Sequence, residues 1–272
     1  MTIMRFESQG LPLHADLAQP LSLAIPMDFD GAQPQFLGAG RAHAAPLRIP
    51  GFTGDTRQGG SCNCEEIRLV AHCNGTHTEC VGHLTSERVF VADTLRGGLF
   101  LAQVVTVRPV PAGDCGDDPV LPADDLVICA AALQEALDAD KRLAPRAVVI
   151  RTLPNGADKI TRHYAGEAPA PYLTAAAAKL LASREVEHLV LDTPSADRAH
   201  DQGRLAAHRA FFGLPLSSRR AADATRPQAT ITELAYVAPM IHDGWYLLDL
   251  QIPAFLCDAA PSRPLLYPVR FD

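Results

Sequence analysis

Between positions 72 and 83 the chain places His72, Cys73, His77, Glu79 and His83. Imidazole, thiolate and carboxylate are all acceptable ligands for a borderline divalent ion such as Zn2+. Along extended backbone, residues two apart project to the same side. His77 and Glu79 therefore converge on one point, and by parity Cys73 joins them. His72 has the opposite parity, although a turn at Asn74-Gly75 could bring it round, and the choice between His72 and Cys73 stays open at this level. His83, four residues past Glu79 and just after Gly82, is placed to carry a proton beside an ion rather than to hold it. Two histidines near a glutamate often form only a hydrogen-bonded patch. Five candidate groups in so short a window, with Gly and Thr allowing close backbone approach, argue for a metal site instead.

The surrounding pattern must supply a frame for these groups. Residues 1–60 are rich in Pro and Gly and read as short extended pieces joined by turns. The alternation Ile67, Leu69, Ala71 predicts a half-buried strand over 65–71 that leads into the histidine-rich segment. Further strands are predicted at 89–93 and 101–107. A helix over 126–138, capped by Asp124 or Asp125 and stopped by Pro145, precedes a buried strand at 147–152. A second helix with Thr174 as N-cap spans 174–183 and leads to a strand at 186–192. Residues 201–212 read as helical and 213–230 as a polar insertion. Strands near 232–236, 245–252 and 264–269 close the chain. Strands alternate with helices while β segments crowd both ends, so the expected fold class is α/β with a mixed sheet, in one domain over 1–272.

Composition narrows the partners. The chain has 272 residues, of which 47% are hydrophobic, with 31 acidic against 24 basic side chains and a net charge of −7. No basic cluster is long enough to neutralise a phosphate backbone, so nucleic acid is not expected as a partner. The first residues carry charges and no apolar stretch, and no span of ~20 apolar residues occurs, so neither a leader nor a membrane segment is expected. The seven cysteines are odd in number and scattered. They read as thiols in a reducing cytoplasm. With 20% charged residues, part of the surface is expected to be polar and uncharged or covered by another subunit.

Cys73-Asn74-Gly75-Thr76-His77-Thr78-Glu79-Cys80-Val81-Gly82-His83 resembles H-x-G-T-H-x-D-x-P-x-H, the hallmark of the cyclase / kynurenine formamidase family of metal-dependent hydrolases. Other pieces agree in order. DLAQPLSLAIP (16–26) is similar to the family's opening D-L-S-x-P-I strand, VVIRT (148–152) to its central strand and LDTPSAD (191–197) to its I-D-T-P-S-x-D loop. AHRAFF (207–212) is similar to the H-R-x-L-L helix, TELAY (232–236) to the E-N-L strand and PSRPLLYPV (261–269) to the closing S-P-x-R strand. The resemblance spans roughly residues 14–270.

It implies a swivelling β/β/α-type fold and up to two divalent ions. The first histidine, His77 and Glu79 would hold one ion; Glu79, His208 and Glu233 would hold a second; His83 would act as acid/base. The substrate class implied is an N-formyl anilide such as N-formylkynurenine, or a cyclic amide or lactone, cleaved by metal-activated water. A homodimer or homotetramer is the implied assembly. The chain departs from the pattern at Cys73, which replaces the first histidine, at Glu79 for Asp, at Val81 for Pro and in the 213–230 insertion. A thiolate favours softer ions, so zinc is expected over manganese. The competing reading is a non-catalytic small-molecule-binding or scaffold member of the same fold. Cys62, Cys64, Cys73 and Cys80 lack the paired C-x-x-C spacing of a structural zinc site, and Cys80 reads as an inert packing group.

Overall fold

A computed structural model describes residues 2–118, 120–164 and 169–272. In chain order it begins with the hairpin β1 (Ile3–Ser8) and β2 (Leu11–Asp16) and the short β3 (Leu21–Ser22). An excursion follows, made of β4 (His43–Pro46), β5 (Arg48–Ile49), β6 (Phe52–Thr53) and β7 (Glu65–Arg68). Next come β8 (His77–Glu79), the single-turn helix α1 (Val91–Thr94), β9 (Leu99–Val107), β10 (Val110–Pro111), α2 (Ala112–Cys115) and β11 (Leu126–Ile128). The chain continues through α3 (Ala130–Asp138), β12 (Ala147–Thr152), β13 (Tyr172–Leu173), α4 (Ala175–Ser183), β14 (His188–Leu191) and α5 (Ala206–Phe212). It ends with β15 (Thr230–Glu233), β16 (Gly244–Asp249), β17 (Ala259–Pro261) and β18 (Leu265–Phe271).

Among the described residues, one mixed sheet runs β1-β2-β18-β16-β9-β12-β14-β15-β8-β17, with β3 beside β18. Its centre, β9-β12-β14-β15, is parallel, while β16 and β8 flank it antiparallel. The central strands are apolar runs (AVVIRT, HLVL) because both of their faces are covered. Val148, Ile150, Leu189, Leu191 and Ile231 pack on one face with Leu133, Leu181, Phe211 and Phe212 of the helices. Ala147, Val149 and Val190 pack on the other with Leu23, Val237 and Leu248. Each fully buried aliphatic or aromatic side chain contributes about 1.5–3 kcal/mol. Together they make the rigid plate from which the polar strand ends project. The architecture is the mixed α/β fold expected. No helix among the described residues is long and apolar enough to cross a membrane.

Several expectations are corrected. The strand expected at 65–71 ends at Arg68 and is exposed throughout, with Ile67 54% and Leu69 37% exposed, so its alternation marks no buried face. Residues 91–94 are helical rather than extended. Residues 126–128 are strand, paired with β10 and β13, and α3 starts only after Cys129, where Asp117 rather than Asp124 or Asp125 accepts from Ala130 N at 2.8 Å. Residues 201–205 are turn, so only 206–212 form the helix expected from 201. The reading of seven thiols also fails for two of them. Cys115 and Cys129 are joined as a disulfide, their Cα atoms 5.8 Å apart.

Candidate metal centre

The parallel strands finish at one edge of the sheet, and the polar residues collect there. Antiparallel pairing of β8 with β15 sets His77 opposite Glu233 and Glu79 opposite Ile231. By the period of two, all three polar side chains lie on the helix-bearing face. Thr78, between them, points to the other face, where its hydroxyl lies 2.7 Å from that of Thr232. Position 75 needs glycine: its φ of +147° is unfavourable for a side chain, and a Cβ there would meet Met27 Sδ at 2.7 Å. The Gly75 carbonyl then accepts from His77 Nδ1 at 2.9 Å, which leaves Nε2 facing Glu233 Oε2 at 3.4 Å. The Thr76 hydroxyl donates to the Leu234 carbonyl and accepts from Ile25 N, tying the start of β8 to the end of β15.

Helix α5 brings His208 onto this edge, and Asp197 holds it there. The Asp197 carboxylate accepts from Ala207 N at 2.7 Å and His208 N at 2.9 Å, satisfying donors at the helix start. It also accepts from His208 Nδ1 at 2.6 Å. His208 Nε2 is thereby turned inward, 2.8 Å from Glu79 Oε1 and 3.4 Å from Glu233 Oε1. Glu233 Oε1 in turn accepts from Ala196 N at 2.6 Å. Asp192, at the end of β14, is a structural brace: it accepts from Lys159 Nζ at 2.7 Å and from Thr152 N and Oγ1 at 2.8 Å.

His72 reaches the same place from outside the strand. Residues 71–75 are turn, with the Cys73 and Asn74 amides both donating to the Val70 carbonyl. The parity that grouped Cys73 with His77 therefore does not apply. His72 Nδ1 lies 2.9 Å from Glu79 Oε2, and its Nε2 donates to Asp258 Oδ2 at 2.9 Å. Cys73 is buried but belongs to none of the described sets of converging ligand atoms, which are His72–His77–Glu79, Glu79–His83–His208 and His72–His83–Asp258 at this edge. Burial and the nearby Glu233 carboxylate push its thiol up. Cys80 is likewise pushed up by burial, to about 11. His83 follows Glu79 on a 3-10 turn (Val81–His83), its ring centroid 4.3 Å from that of His72 and 5.6 Å from that of His208.

The electrostatics ask for positive charge. Burial alone would raise the Glu79 carboxyl, yet His83, His208 and His72 hold it well below the usual range. Burial alone would lower His208, yet Glu79, Asp197 and Glu233 raise it well above its ordinary value. His72 is raised to about 10 against its burial by Asp258 and Glu79. A divalent cation meets the same demand, and the donor set fits one. His77 Nε2, both Glu79 carboxylate oxygens and His208 Nε2 are buried without hydrogen-bond partners. Their close approaches have the distance of a hydrogen bond but not its direction. His77 and His208 fall in two different sets that share Glu79, so cations in these two sets would satisfy the four atoms, which otherwise carry a burial cost of ~1–3 kcal/mol each. Because the converging atoms are nitrogen and oxygen, the thiolate argument for zinc lapses. Imidazole and carboxylate together suit zinc and manganese alike.

The cluster floors a cavity of about 710 Å3 lined by Phe36, Leu37, Leu205, Arg198 and His200, with His72, His83 and Glu233 among its walls. The structure thus gathers His72, His77, Glu79, His83 and His208 into the converging sets, places Glu233 beside them at 3.4 Å from both His77 and His208, and leaves Cys73 aside. Two partners went unassigned in the sequence. Asp197, like Asp192 in the same LDTPSAD loop, reads from the sequence only as a cap or brace near the site, whereas Asp258 carries no local signal at all.

A buried imidazole–carboxylate cluster at the finishing edge of a parallel sheet, beneath an open cavity, is the architecture of a metal centre. Residues 15–198 match the family described as "Putative cyclase", and the chain belongs to that family. No curated protein matches. Solved structures of similar fold include a predicted metal-dependent hydrolase from Bacillus stearothermophilus, with 15% identity, TM-score 0.57 and coverage of 92% of this chain and 98% of that one. Isatin hydrolase A from Labrenzia aggregata, bound to benzyl benzoate, has 15% identity and TM-score 0.58, covering 92% and 93%. An isatin hydrolase bound to the product analogue thioisatinate has 14% identity and TM-score 0.56, covering 93% of each chain. At these identities the likeness is one of fold.

Proposed function

We propose that the protein is a metal-dependent hydrolase that cleaves the amide C–N bond of a small molecule, either an N-formyl anilide such as N-formylkynurenine or a cyclic amide, or the corresponding acyl C–O bond of a lactone. The observation that carries this reading is the convergence of His77 Nε2, both Glu79 oxygens and His208 Nε2, all buried and unpartnered, beneath a cavity of small-molecule size. His72, His77, Glu79, His208 and Glu233 would hold one or two divalent ions, zinc or manganese. A divalent ion supplies a Lewis acid for a carbonyl oxygen and brings the acidity of water toward neutral pH.

The chain's own residues do the rest. Glu79 sits between His72 and His208 and fixes the spacing of both imidazoles. His83 lines the cavity with its Nδ1 3.5 Å from Asp258, so its Nε2 is the atom that takes a proton from the attacking water and returns it to the departing nitrogen. Phe36, Leu37 and Leu205 offer an apolar wall to an aromatic ring, and Arg198 and His200 a polar rim. The fold shared with isatin hydrolases supports the cyclic-amide arm, since isatin is a cyclic amide fused to a benzene ring. We also propose a homodimer or homotetramer that binds neither nucleic acid, in keeping with the net charge of −7, nor membrane, and that works in the cytoplasm, a location that rests on the five free cysteines alone.

The test is turnover by protein loaded with zinc or manganese on N-formyl anilides, cyclic amides and lactones. Hydrolysis of at least one class is expected. Stoichiometric metal with no hydrolysis across all three would favour the binding or scaffold role.

A further inference from the structure

A metal-ligating imidazole needs an inward lone pair and an outward N–H held by an acceptor, because that acceptor selects the tautomer and fixes the ring. All three inward-facing histidines of this cluster meet the requirement. For His77 the acceptor is the Gly75 carbonyl, two residues back in the chain. For His208 it is Asp197, on the loop leading to the same helix. For His72 it is Asp258, 186 residues away.

Sheet register accounts for that last pairing. Strand β17 lies against β8 with Ala259 opposite Glu79. The residue before β17 is therefore delivered beside the turn that follows Glu79. The Asp258 carbonyl accepts from Cys80 N at 3.0 Å, and the Cα of Gly82 comes so close that a Cβ there would lie 3.2 Å from Asp258 Cβ. Asp258 Oδ2 faces two outer nitrogens at once, His72 Nε2 at 2.9 Å and His83 Nδ1 at 3.5 Å.

The geometry points to Asp258 as a positioning residue that turns His72 Nδ1 into the metal cluster, so that the His72–Asp258 pair replaces the histidine whose motif position is held by Cys73. The inference rests on the metal-centre reading above. In effect this chain has moved a ligand one residue back and recruited a carboxylate from its last strands to aim it. The same carboxylate aligns His83, coupling a ligand and the proton carrier through one side chain.

The experiment measures zinc and manganese affinity of the full chain by competition with a chromophoric chelator, for the natural sequence, Asp258→Asn, Asp258→Ala, His72→Ala and Cys73→Ala. Long-range proton–nitrogen NMR of the zinc-loaded form reports the His72 tautomer. Losing an outer hydrogen-bond partner typically weakens binding about 10- to 100-fold. That range is expected for Asp258→Ala, with a smaller loss for Asp258→Asn, which keeps an acceptor oxygen. His72→Ala should match or exceed Asp258→Ala, and Cys73→Ala should bind as the natural chain does. In the zinc-loaded natural chain His72 should carry its one proton on Nε2 with Nδ1 on the metal, and Asp258→Ala should release that preference while thermal unfolding of the metal-free protein stays within a few degrees. Unchanged affinity in Asp258→Ala, or a loss confined to Cys73→Ala, overturns the inference and leaves the metal centre standing. Failure of the natural chain to bind either ion overturns the metal centre and the inference with it.

Discussion

His188 and His208 are both almost fully buried, at 3% and 1% exposure, yet the two ends of the sheet treat them oppositely. His188 opens β14, where the parallel strands begin. Its Nδ1 lies 2.8 Å from the Thr230 hydroxyl, its ring is 4.0 Å from that of Phe100, and the one carboxylate near it, Glu187, is 3.9 Å away and engaged by Arg146. Burial wins there and pushes its pKa down to about 4, so the ring is neutral and structural. His208 meets Asp197, Glu79 and Glu233 where the strands finish, and its pKa is driven up. A second cavity of about 600 Å3 lies beside His188, lined by Phe100, Arg146 and Glu187. It has size without converging ligands among the described residues. Burial is common to both regions, and the count of carboxylates separates packing from chemistry.

The comparison can be broken most forcefully at His208. His208→Ala should weaken metal binding by more than the ~100-fold that an outer partner costs, whereas His188→Gln should bind as the natural chain does; equal losses in the two variants by chelator competition would erase the distinction between the ends. A finer cut separates holding from proton transfer. His83→Ala should lower kcat on whichever substrate is turned over by ~10^2–10^4-fold, with metal content by elemental analysis unchanged.

The smallest effect concerns stability. The folded pKa of His188 is depressed from about 6.5 to about 4, so in the unfolded chain this group takes up a proton first as pH falls. Its neutral burial therefore contributes fully above pH 6.5, and that contribution declines between 6.5 and 4 by about 3 kcal/mol. Urea unfolding of His188→Gln across that interval should show a correspondingly shallower pH dependence than the natural chain. An unchanged slope would mean that His188 is not neutral when folded.

Much of the site was legible because ordered motifs carry it. His77, Glu79, His83, His208 and Glu233 can be picked from the segment at 72–83 and from the AHRAFF and TELAY pieces, and the sheet gathers them. The central strand 147–152 was legible for a simpler reason, its unbroken β-branched run. What escaped depends on the third dimension. Asp258 has no sequence neighbour to betray it, since its role comes from β17 pairing with β8. Cys73 was misgrouped because parity was extended through a turn, where it has no meaning. The alternation at Ile67 and Leu69 suggested a buried face, yet among the described residues they stay 54% and 37% exposed. Nothing in the sequence marks the role of His188, because a buried neutral histidine leaves no sign in a strand beyond its apolar neighbours.

The central claim is that the buried atoms around Glu79 hold a divalent cation. Elemental analysis after dialysis against zinc or manganese, on the natural chain and on Glu79→Gln, tests it most directly. At least one ion per chain in the natural protein, lost in Glu79→Gln, is the predicted result. A natural chain that retains neither metal, or a Glu79→Gln variant that retains the full complement, would contradict it.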